Sequence, residues 1–290
     1  MPGADRKPTG RGARATPTVL TIAGSDSGGG AGIQADLKAF ARCGVHGMTA
    51  ITAITAQNTV GVTTIHPVPP EIVLAQVRAV AADIGVDAVK VGMLGTASVT
   101  LAVARALDEL PAGTPVVVDP VMVAESGARL LEPDAQRALV EELLPRATVL
   151  TPNLPEARIL ADWAARAADE DEEAETLARA LLALGPRVVV LTGGHRARVA
   201  DLFLDSTGDG SVVSIEGERH PDGAAHGSGC THSSVLAAQL ALGLTPLQAA
   251  HMARALAGEA VANGLHDVGA GAGPVDVLGL AGMRPAVHEN

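Results

Sequence analysis

Two glycine-rich segments, one near each end of the chain, have residue types suited to binding a phosphoryl group. The later segment, Ala225–Ser234, runs directly into an apolar helical pattern, Val235–Leu242. The first turn of a helix has unpaired backbone N–H groups and the positive end of the helix dipole, and glycines let an anion approach closely. Such a turn would neutralise a phosphoryl group in transit, and its candidate residues are Gly227, Ser228, Gly229 and Cys230. Taken alone, the segment is explained equally well as an ordinary glycine loop capped by Ser228.

The earlier segment, Gly24–Gly32, follows an apolar run and opens a second helical pattern, Ile33–Arg42. Part of it, Gly30–Ala35, matches the dinucleotide-binding fingerprint, which also needs an acidic residue about 20 positions further on to hold the ribose. The stretch Leu37–Pro70 contains no Asp or Glu, which excludes a dehydrogenase of that type. A P-loop is excluded as well, because no lysine of the chain follows a glycine loop at the required spacing.

Four polar positions are candidates for holding a metal ion or a substrate. Asn153 and Glu156 lie on one face of a predicted helix start, where they would hold Mg²⁺ through water. The alternative for this pair is a plain helix cap with Pro155 in the first turn. Asp119 ends an apolar strand and is either solvated at the sheet rim or orients metal-bound water. Asp36, one turn into the first helix, either stabilises the helix dipole or accepts a hydrogen bond from a substrate hydroxyl or amine.

The elements that must position these residues alternate between short β-branched runs and helical patterns, which predicts βαβ units and a mostly parallel sheet. The predicted strands are Val19–Ala23, Thr49–Ala56, Ala88–Val91, Val116–Asp119, Thr148–Thr151 and Val188–Thr192. The predicted helices are Ile33–Arg42, Pro70–Ile84, Thr96–Asp108, Pro133–Leu144, Glu156–Ala161, Glu172–Leu184, Gly229–Gly243 and Pro246–Asn263. Short extended segments, at sheet edges or in a small flap, are expected at Val60–Val68, Ala200–Leu204 and Ser211–Ile215. Ligands bind beyond the carboxyl ends of parallel strands, so we expect the site at that edge.

Composition limits the class of partner. The 290 residues have a formal net charge of −11, no Tyr, two Phe and one Trp, which argues against nucleic acid or an anionic membrane as a partner. Two cysteines are too few for a disulfide framework and fit a reducing compartment, so we expect a cytoplasmic protein. We expect residues 1–17 to be a disordered leader, residues 18–283 to form one domain, and residues 284–290 to be a tail.

At these positions the chain resembles the hydroxymethylpyrimidine/phosphomethylpyrimidine kinases, the thiamine-pathway branch of the ribokinase-like superfamily. The resemblance runs in order from about Thr18 to Pro274. It rests on the segments Gly24–Asp36, Ala56–Thr59, Lys90–Leu94, Asp119–Met122, Thr151–Glu156 and His226–Thr231. It implies a three-layer α/β/α ribokinase-like fold with a mostly parallel central sheet and a small flap, and it implies a homodimer.

The resemblance also implies a reaction: ATP and Mg²⁺ phosphorylate 4-amino-5-hydroxymethyl-2-methylpyrimidine and then its monophosphate, in thiamine diphosphate biosynthesis. The implied pyrimidine pocket consists of Gly24, Asp36, Gln57, Met93, Val121 and Cys230. The implied nucleotide and metal residues are Asn153, Glu156, Thr192 and Gly194 for the nucleotide, and Asp119 and Glu156 for the metal. Gln57 offers both a donor and an acceptor to an aminopyrimidine edge. At a helix start, Cys230 is expected to have a pKa below the free value of about 8.5 and to orient or weakly deprotonate the hydroxymethyl group.

Two positions depart from the family pattern. Members often have lysine where Thr192 and Glu125 stand, and the missing charge at Thr192 weakens the expected hold on ATP. Arg196, Arg198 or a bound monovalent cation are the compensations that the sequence leaves open. Two other functions also stay open: a pyridoxal or pyridoxine kinase on the same fold, and a non-catalytic pyrimidine-binding module, for which Thr192 is the only support.

Overall fold

A computed structural model of the chain describes residues 15–123, 130–161, 170–193, 199–221 and 223–283. Its strands are β1 Thr18–Ala23, β2 His46–Ile51, β3 Ala53–Asn58, β4 Gly61–Pro67, β5 Ala88–Val91, β6 Val116–Val118, β7 Val149–Leu150, β8 Val188–Leu191, β9 Ala200–Asp205 and β10 Val213–Glu216. Its helices are α1 Gly32–Arg42, α2 Pro70–Asp83, α3 Ala97–Asp108, α4 Pro133–Ala138, α5 Leu154–Leu160, α6 Glu170–Leu182, α7 Ser228–Ala241 and α8 Pro246–Ala262. The predicted helices are confirmed, and α4 continues through a π-helical turn, Leu139–Leu143.

Eight of the strands form one sheet in the order β10-β9-β8-β7-β6-β5-β1-β2. The neighbouring pairs from β8 to β2 are all parallel, and the pairs β8–β9 and β9–β10, at one edge, are antiparallel. This confirms the predicted mostly parallel sheet. The segments Ala200–Leu204 and Ser211–Ile215, left between edge and flap by the sequence, fall on the antiparallel edge. Parallel strands buried on both faces are nearly continuous in apolar residues, as in Val188–Leu191, where every residue is buried.

Helices cover both faces of the sheet. Helices α2 to α6 pack on one face, and the core there includes Leu20 and Ile22 of β1 and Val89 and Val91 of β5. Helices α1, α7 and α8 pack on the other face, whose core includes Val19 of the same β1 strand. Successive residues of a strand point to opposite faces, so this alternation decides which side chains meet α1 and α7. In the described part of the chain, no helix is both long and apolar enough to cross a membrane.

The predicted strand Thr49–Ala56 is wrong, because the chain leaves the large sheet in the middle of it. Strand β2 ends at Ile51, and β3 starts at Ala53 and pairs antiparallel with β4 in a separate two-stranded sheet. Thr52 lies at the break. Its N–H still donates to the Ala23 carbonyl oxygen of β1 at 3.0 Å, its carbonyl oxygen accepts from Val68 N–H, just after β4, at 2.9 Å, and its Oγ1 donates to the Met93 carbonyl oxygen at 2.6 Å. The β3–β4 hairpin is the expected small flap.

Candidate active site

A cavity of about 480 Å³ opens at the carboxyl ends of the parallel strands, the place where open α/β sheets bind ligands. Residues that follow β1, β5, β6, β7 and β8, together with the first turn of α7, form its walls. Within the described ranges, every predicted site residue except Asp36 lines this cavity: Gly24, Gln57, Met93, Asp119, Val121, Asn153, Glu156, Thr192, Gly227, Ser228, Gly229 and Cys230. The predicted residue Gly194 lies outside the described residues.

The wall between β1 and β6 is suited to a small, partly apolar ring. Met93 and Val121 supply aliphatic surface just after β5 and β6. A Cβ at Gly24 would come within 2.5 Å of Met93 Cε, so the absence of a side chain lets Met93 lie here. Gln57 reaches the cavity from the flap, at a point where the pairing of β3 with β4 shifts register after Ala56. An irregularity of this kind commonly re-aims a side chain next to a functional site.

The two glycine segments are in direct contact at the start of α7. Gly227 caps the helix with φ 87°, and a Cβ there would collide with the Gly30 carbonyl oxygen, so only glycine fits. Asp26 ties the segments together: its carboxylate accepts hydrogen bonds from the Gly30 and Ala31 N–H groups at 3.0 and 2.8 Å and lies 3.0 Å from His226 Nε2. Burial opposes the charge, yet these partners hold the pKa of Asp26 below its ordinary value. The contacts of Asp26 therefore fix the backbone at the start of α7, whose first-turn residues line the cavity.

Cys230 lies at this turn, half-buried and lining the cavity. Burial raises the pKa of its thiol to about 12, and the Lys90 ammonium offsets this only partly, since Asp119 and Asp36 add negative charge nearby. The prediction that the helix start lowers this pKa is therefore wrong, because lost hydration and the two carboxylates outweigh the helix dipole. At neutral pH, Cys230 is a neutral thiol that can donate a hydrogen bond.

Asp36 is fully buried beneath the cavity rather than in its wall. Its carboxylate accepts hydrogen bonds from Lys90 Nζ at 2.9 Å, Thr21 Oγ1 at 2.6 Å and Ser234 Oγ at 2.7 Å. The expectation that Asp36 meets the substrate directly is not met by this geometry, because its oxygens already serve three donors from β1, β5 and α7.

Lys90 is a charged residue at the centre of an apolar strand. Since Val89 and Val91 face α2 to α6, strand alternation points Lys90 toward α1 and α7, where Asp36 lies. Its Nζ is also 3.8 Å from Asp119 Oδ2, and the side chain has no solvent-exposed surface. Burial opposes the charge, but the neighbouring carboxylate of Asp36 keeps the pKa of Lys90 above its ordinary value.

Asp119 and Glu156 place two carboxyl groups on the cavity wall. Asp119 accepts a hydrogen bond from Ser233 Oγ at 2.9 Å, and burial raises its pKa in spite of Lys90. Burial and the charge of Asp119 raise the pKa of Glu156 to about 8. Glu156 also forms a capping box with Asn153: Asn153 N–H donates to Glu156 Oε2 at 3.0 Å, and Glu156 N–H donates to Asn153 Oδ1 at 2.9 Å. The plain helix cap left open by the sequence is therefore present, in residues that also face the cavity.

This donor set fits a hydrated Mg²⁺ ion. No cluster of three or more His, Cys, Asp or Glu side chains suited to a metal occurs in the described residues. Mg²⁺ does not need such a cage, because it keeps several waters and takes one or two carboxylates plus substrate phosphates. A cation beside Asp119 and Glu156 would relieve the repulsion that raises the pKa of Glu156.

The far end of the cavity is organised around a buried carboxylate, Asp201 of β9. It accepts a hydrogen bond from the Gly193 N–H at 2.9 Å and lies 3.0 Å from His232 Nε2 and 3.7 Å from Arg254 Nη1. Thr192, next to Gly193, is held beside Asn153 by a parallel bridge. Arg254 and His232 line the cavity at this end. The positions Glu125, Arg196 and Arg198 lie outside the described residues.

A known protein family matches the sequence over residues 26–276, and that family is described as phosphomethylpyrimidine kinase. The chain belongs to the phosphomethylpyrimidine kinase family. Among its relatives, the hydroxymethylpyrimidine/phosphomethylpyrimidine kinase of Rhizobium meliloti is 48% identical over 263 residues, which cover 90% of this chain and 96% of that protein. The resemblance seen in the sequence motifs is thereby confirmed.

Solved structures agree with the membership of this phosphomethylpyrimidine kinase family. The crystal structure of phosphomethylpyrimidine kinase from Clostridium difficile 630 is 36% identical, with a TM-score of 0.71, and the match covers 83% of this chain and 97% of that one. The pyridoxal kinase from Staphylococcus aureus, in complex with AMP-PCP and pyridoxal, is 34% identical, with a TM-score of 0.80 over 91% of this chain and 94% of that one. The predicted ribokinase-like three-layer fold is confirmed.

Three charged residues at or beside the cavity, Lys90, Asp201 and Arg254, were not among the site residues predicted from the sequence. Lys90 carried a usable signal, since a lysine inside an apolar strand is buried only when it is paired. Asp201 carried the same signal in the apolar run of β9. Arg254 carried none, because an arginine on a helix is ordinarily a solvated surface residue.

Proposed function

We propose that this chain transfers the γ-phosphoryl group of ATP to the hydroxymethyl group of 4-amino-5-hydroxymethyl-2-methylpyrimidine, and then a second phosphoryl group to the resulting monophosphate. One observation carries the proposal. A single cavity brings a ring-sized wall of Gln57, Met93 and Val121 together with the glycine turn of α7 and the carboxylates Asp119 and Glu156. Membership of the phosphomethylpyrimidine kinase family supports the same assignment.

The substrate ring would lie between Met93 and Val121, with Gln57 at its edge. An amide side chain presents both N–H donors and a carbonyl acceptor, which matches an aminopyrimidine edge that has both. A site built on such hydrogen bonds discriminates against rings that lack them, because its own polar groups are then left unpaired. Gln57 is therefore the residue to which we assign the choice of ring.

In the transfer step, the hydroxymethyl oxygen attacks the γ-phosphorus, the new C–O–P linkage forms, and the bond from the γ-phosphorus to the β–γ bridging oxygen breaks to release ADP. Catalysis of such a step is mostly positioning and neutralisation of charge. The N–H groups of Gly229 and Cys230, in the first turn of α7, would stabilise the charge on the transferring group. With a thiol pKa of about 12, Cys230 orients the hydroxyl as a hydrogen-bonding partner, and the hydroxyl proton leaves with the transferred phosphate.

Asp119 and Glu156 would hold Mg²⁺ through its water shell, and the ion would neutralise charge on the triphosphate. The triphosphate would extend from the α7 turn toward Thr192 and Gly193, which Asp201 fixes through the Gly193 N–H. At this end Thr192 supplies no positive charge, so we assign the task to Arg254, which lines the cavity, and a monovalent cation is the alternative. A dependence of the ATP KM on K⁺ concentration would identify the second case.

The proposal includes two properties that come from the sequence and the resemblance: a cytoplasmic location and a homodimeric state. Size-exclusion chromatography with light scattering measures the second directly. Neither property enters the chemistry above, because every group assigned to the reaction comes from one chain.

A coupled ADP-release assay tests the function, with ATP and Mg²⁺ and three substrates in parallel: hydroxymethylpyrimidine, its monophosphate and pyridoxal. We expect turnover on both pyrimidines and little on pyridoxal. Turnover on pyridoxal alone would transfer the assignment to a pyridoxal kinase, the function named for the Staphylococcus aureus structure that matches with a TM-score of 0.80. Calorimetric binding of the pyrimidine with no turnover on any substrate would instead favour the non-catalytic binding module.

A further inference from the structure

The flap is attached to the rest of the molecule by hydrogen bonds rather than by an apolar core. Three of its four large aliphatic side chains point outward, since Ile54 is 55% exposed, Val60 is 60% exposed and Ile65 is 38% exposed, and the fourth, Val62, is half-buried. A two-stranded sheet without packed apolar surface is only marginally stable on its own. The position of Gln57 therefore depends on the polar contacts that hold β3.

Those contacts come from the first glycine-rich loop. Ser27 makes a two-way bridge to one residue: its Oγ donates to the Gln57 carbonyl oxygen at 2.6 Å and accepts from the Gln57 N–H at 2.9 Å. Ser25 bonds the residue two positions earlier in a different way: its Oγ accepts from Thr55 N–H at 3.1 Å, and its carbonyl oxygen accepts from the Thr55 side chain, Oγ1, at 2.8 Å. The loop thus bonds β3 at every second residue, as a neighbouring strand would, but partly through serine hydroxyls.

Within the described residues, a further hydrogen bond holds the tip of the flap. Gly271 N–H donates to Thr59 Oγ1 at 3.3 Å, which joins the hairpin turn to the segment that follows α8. Among the described side-chain contacts between the loop and the flap, Ser27 bonds the backbone of Gln57 itself. Ser27 is exposed, so its replacement leaves the packed core intact.

We propose that Ser27 is a positioning residue for ring recognition, acting through the backbone of Gln57. This inference rests on the proposed function, in which Gln57 meets the ring edge. A hydroxyl that bonds both the N–H and the C=O of one residue fixes the position and orientation of that residue's backbone. For Gln57, this also fixes where the side-chain amide reaches into the cavity. Without the hydroxyl, Gln57 keeps its pairing with Val62 and the contact of its amide oxygen with Thr55 Oγ1 at 3.4 Å, but it loses both bonds to its backbone from the loop. The ligand then has to supply more of the ordering of Gln57, and that weakens binding.

The test compares wild type with Ser27→Ala, Ser27→Thr and Thr63→Val. Two neutral hydrogen bonds are lost in Ser27→Ala, so we expect the KM for hydroxymethylpyrimidine to rise about 5- to 20-fold, with kcat and the KM for ATP within about twofold of wild type. Ser27→Thr retains the hydroxyl and should restore the KM. Thr63→Val is the matched control, because it removes a hydroxyl bond within the flap, from Thr63 Oγ1 to the Ala56 carbonyl oxygen, and leaves the loop contact intact.

An unchanged pyrimidine KM in Ser27→Ala would overturn the inference. So would an equal rise in Thr63→Val, or a parallel rise in the KM for ATP, since both indicate general loosening. Calorimetric titration with hydroxymethylpyrimidine alone should show the same fold-change in Kd. If wild type phosphorylates only pyridoxal, the proposed function fails, and the same variants assayed on pyridoxal still decide whether Ser27 positions Gln57.

Discussion

Replacement of Lys90 by methionine should destabilise this protein far more than loss of a surface ion pair. Lys90 Nζ lies 2.9 Å from Asp36 Oδ1 and 3.8 Å from Asp119 Oδ2, and neither Lys90 nor Asp36 has exposed side-chain surface. Methionine fills most of the same volume, so the change removes the charge with little loss of packing. Among the described residues, the two buried carboxylates then keep hydroxyl donors: Thr21 and Ser234 on Asp36, and Ser233 on Asp119.

The magnitude follows from the cost of leaving a buried charge without its partner, which is about 3–5 kcal/mol. For a chain of this size, that corresponds to a fall in Tm of roughly 10 °C. A matched control is Arg42→Met. The Arg42–Glu259 pair spans 3.4 Å between side chains that are 45% and 55% exposed, and such pairs contribute about 0–1 kcal/mol. The double variant Asp36→Asn with Lys90→Met should recover part of the loss, because an amide needs no counter-charge.

Urea denaturation of five proteins, followed by far-UV circular dichroism at pH 7, measures these free energies of unfolding: wild type, Lys90→Met, Arg42→Met, Asp36→Asn and the double variant. A loss in Lys90→Met no larger than that in Arg42→Met would refute the assignment of a charged pair beneath the cavity. Strict additivity of the two single changes, Asp36→Asn and Lys90→Met, in the double variant would refute it as well, because directly paired residues are energetically coupled.

Three further predictions concern groups on the cavity wall. Burial and Asp119 raise the pKa of Glu156 from 4.5 to about 8, so the folded state binds a proton that the unfolded state has lost, and stability of the ligand-free protein should fall as pH rises through this range. Denaturation at several pH values should show this slope in wild type and a flatter one in Glu156→Gln. Cys230→Ser should lower kcat by less than about 10⁴-fold in the ADP-release assay, because a neutral thiol contributes less than a general base, and a larger loss would contradict this. Gly227→Ala should abolish turnover and lower Tm, because the new Cβ meets the Gly30 carbonyl oxygen; retention of activity would show that the turn is not fixed.

The edge of the sheet that holds the site could be predicted because its signals are local. Each strand end is marked by glycine or polar residues directly after a β-branched run, as in Gly24 after β1 and Asp119 after β6. Topology then brings those ends together, whatever the sequence distance. The same local signals offered a capped helix start at Asn153 as one alternative, and placed Val60–Val68 either at a sheet edge or in a flap; the structure has the cap and the flap.

Contacts between distant residues could not be predicted in the same way. Asp36 and Lys90 are 54 positions apart, and nothing in the sequence around Asp36 distinguishes a carboxylate that meets a substrate from one that meets a buried lysine. The pKa of Cys230 depends on the summed effect of Lys90, Asp119 and burial, so a rule based on its place in a helix gave the wrong direction. The break at Thr52 could not be predicted for another reason: the residues on both sides of it favour strands, so the sequence reads as one continuous strand.

The contact between the two glycine segments also bears on the order in which the protein acquires its site during synthesis. Asp26 and His226 are 200 positions apart, and the hydroxyls of Ser233 and Ser234 that serve Asp119 and Asp36 come later still. A nascent chain emerging from the ribosome at about 5–20 residues per second therefore exposes its buried carboxylates for many seconds before α7 arrives. Through that interval, the half-built sheet presents the uncovered face that α7 later occupies, and anything apolar that bound there would compete with the native helix.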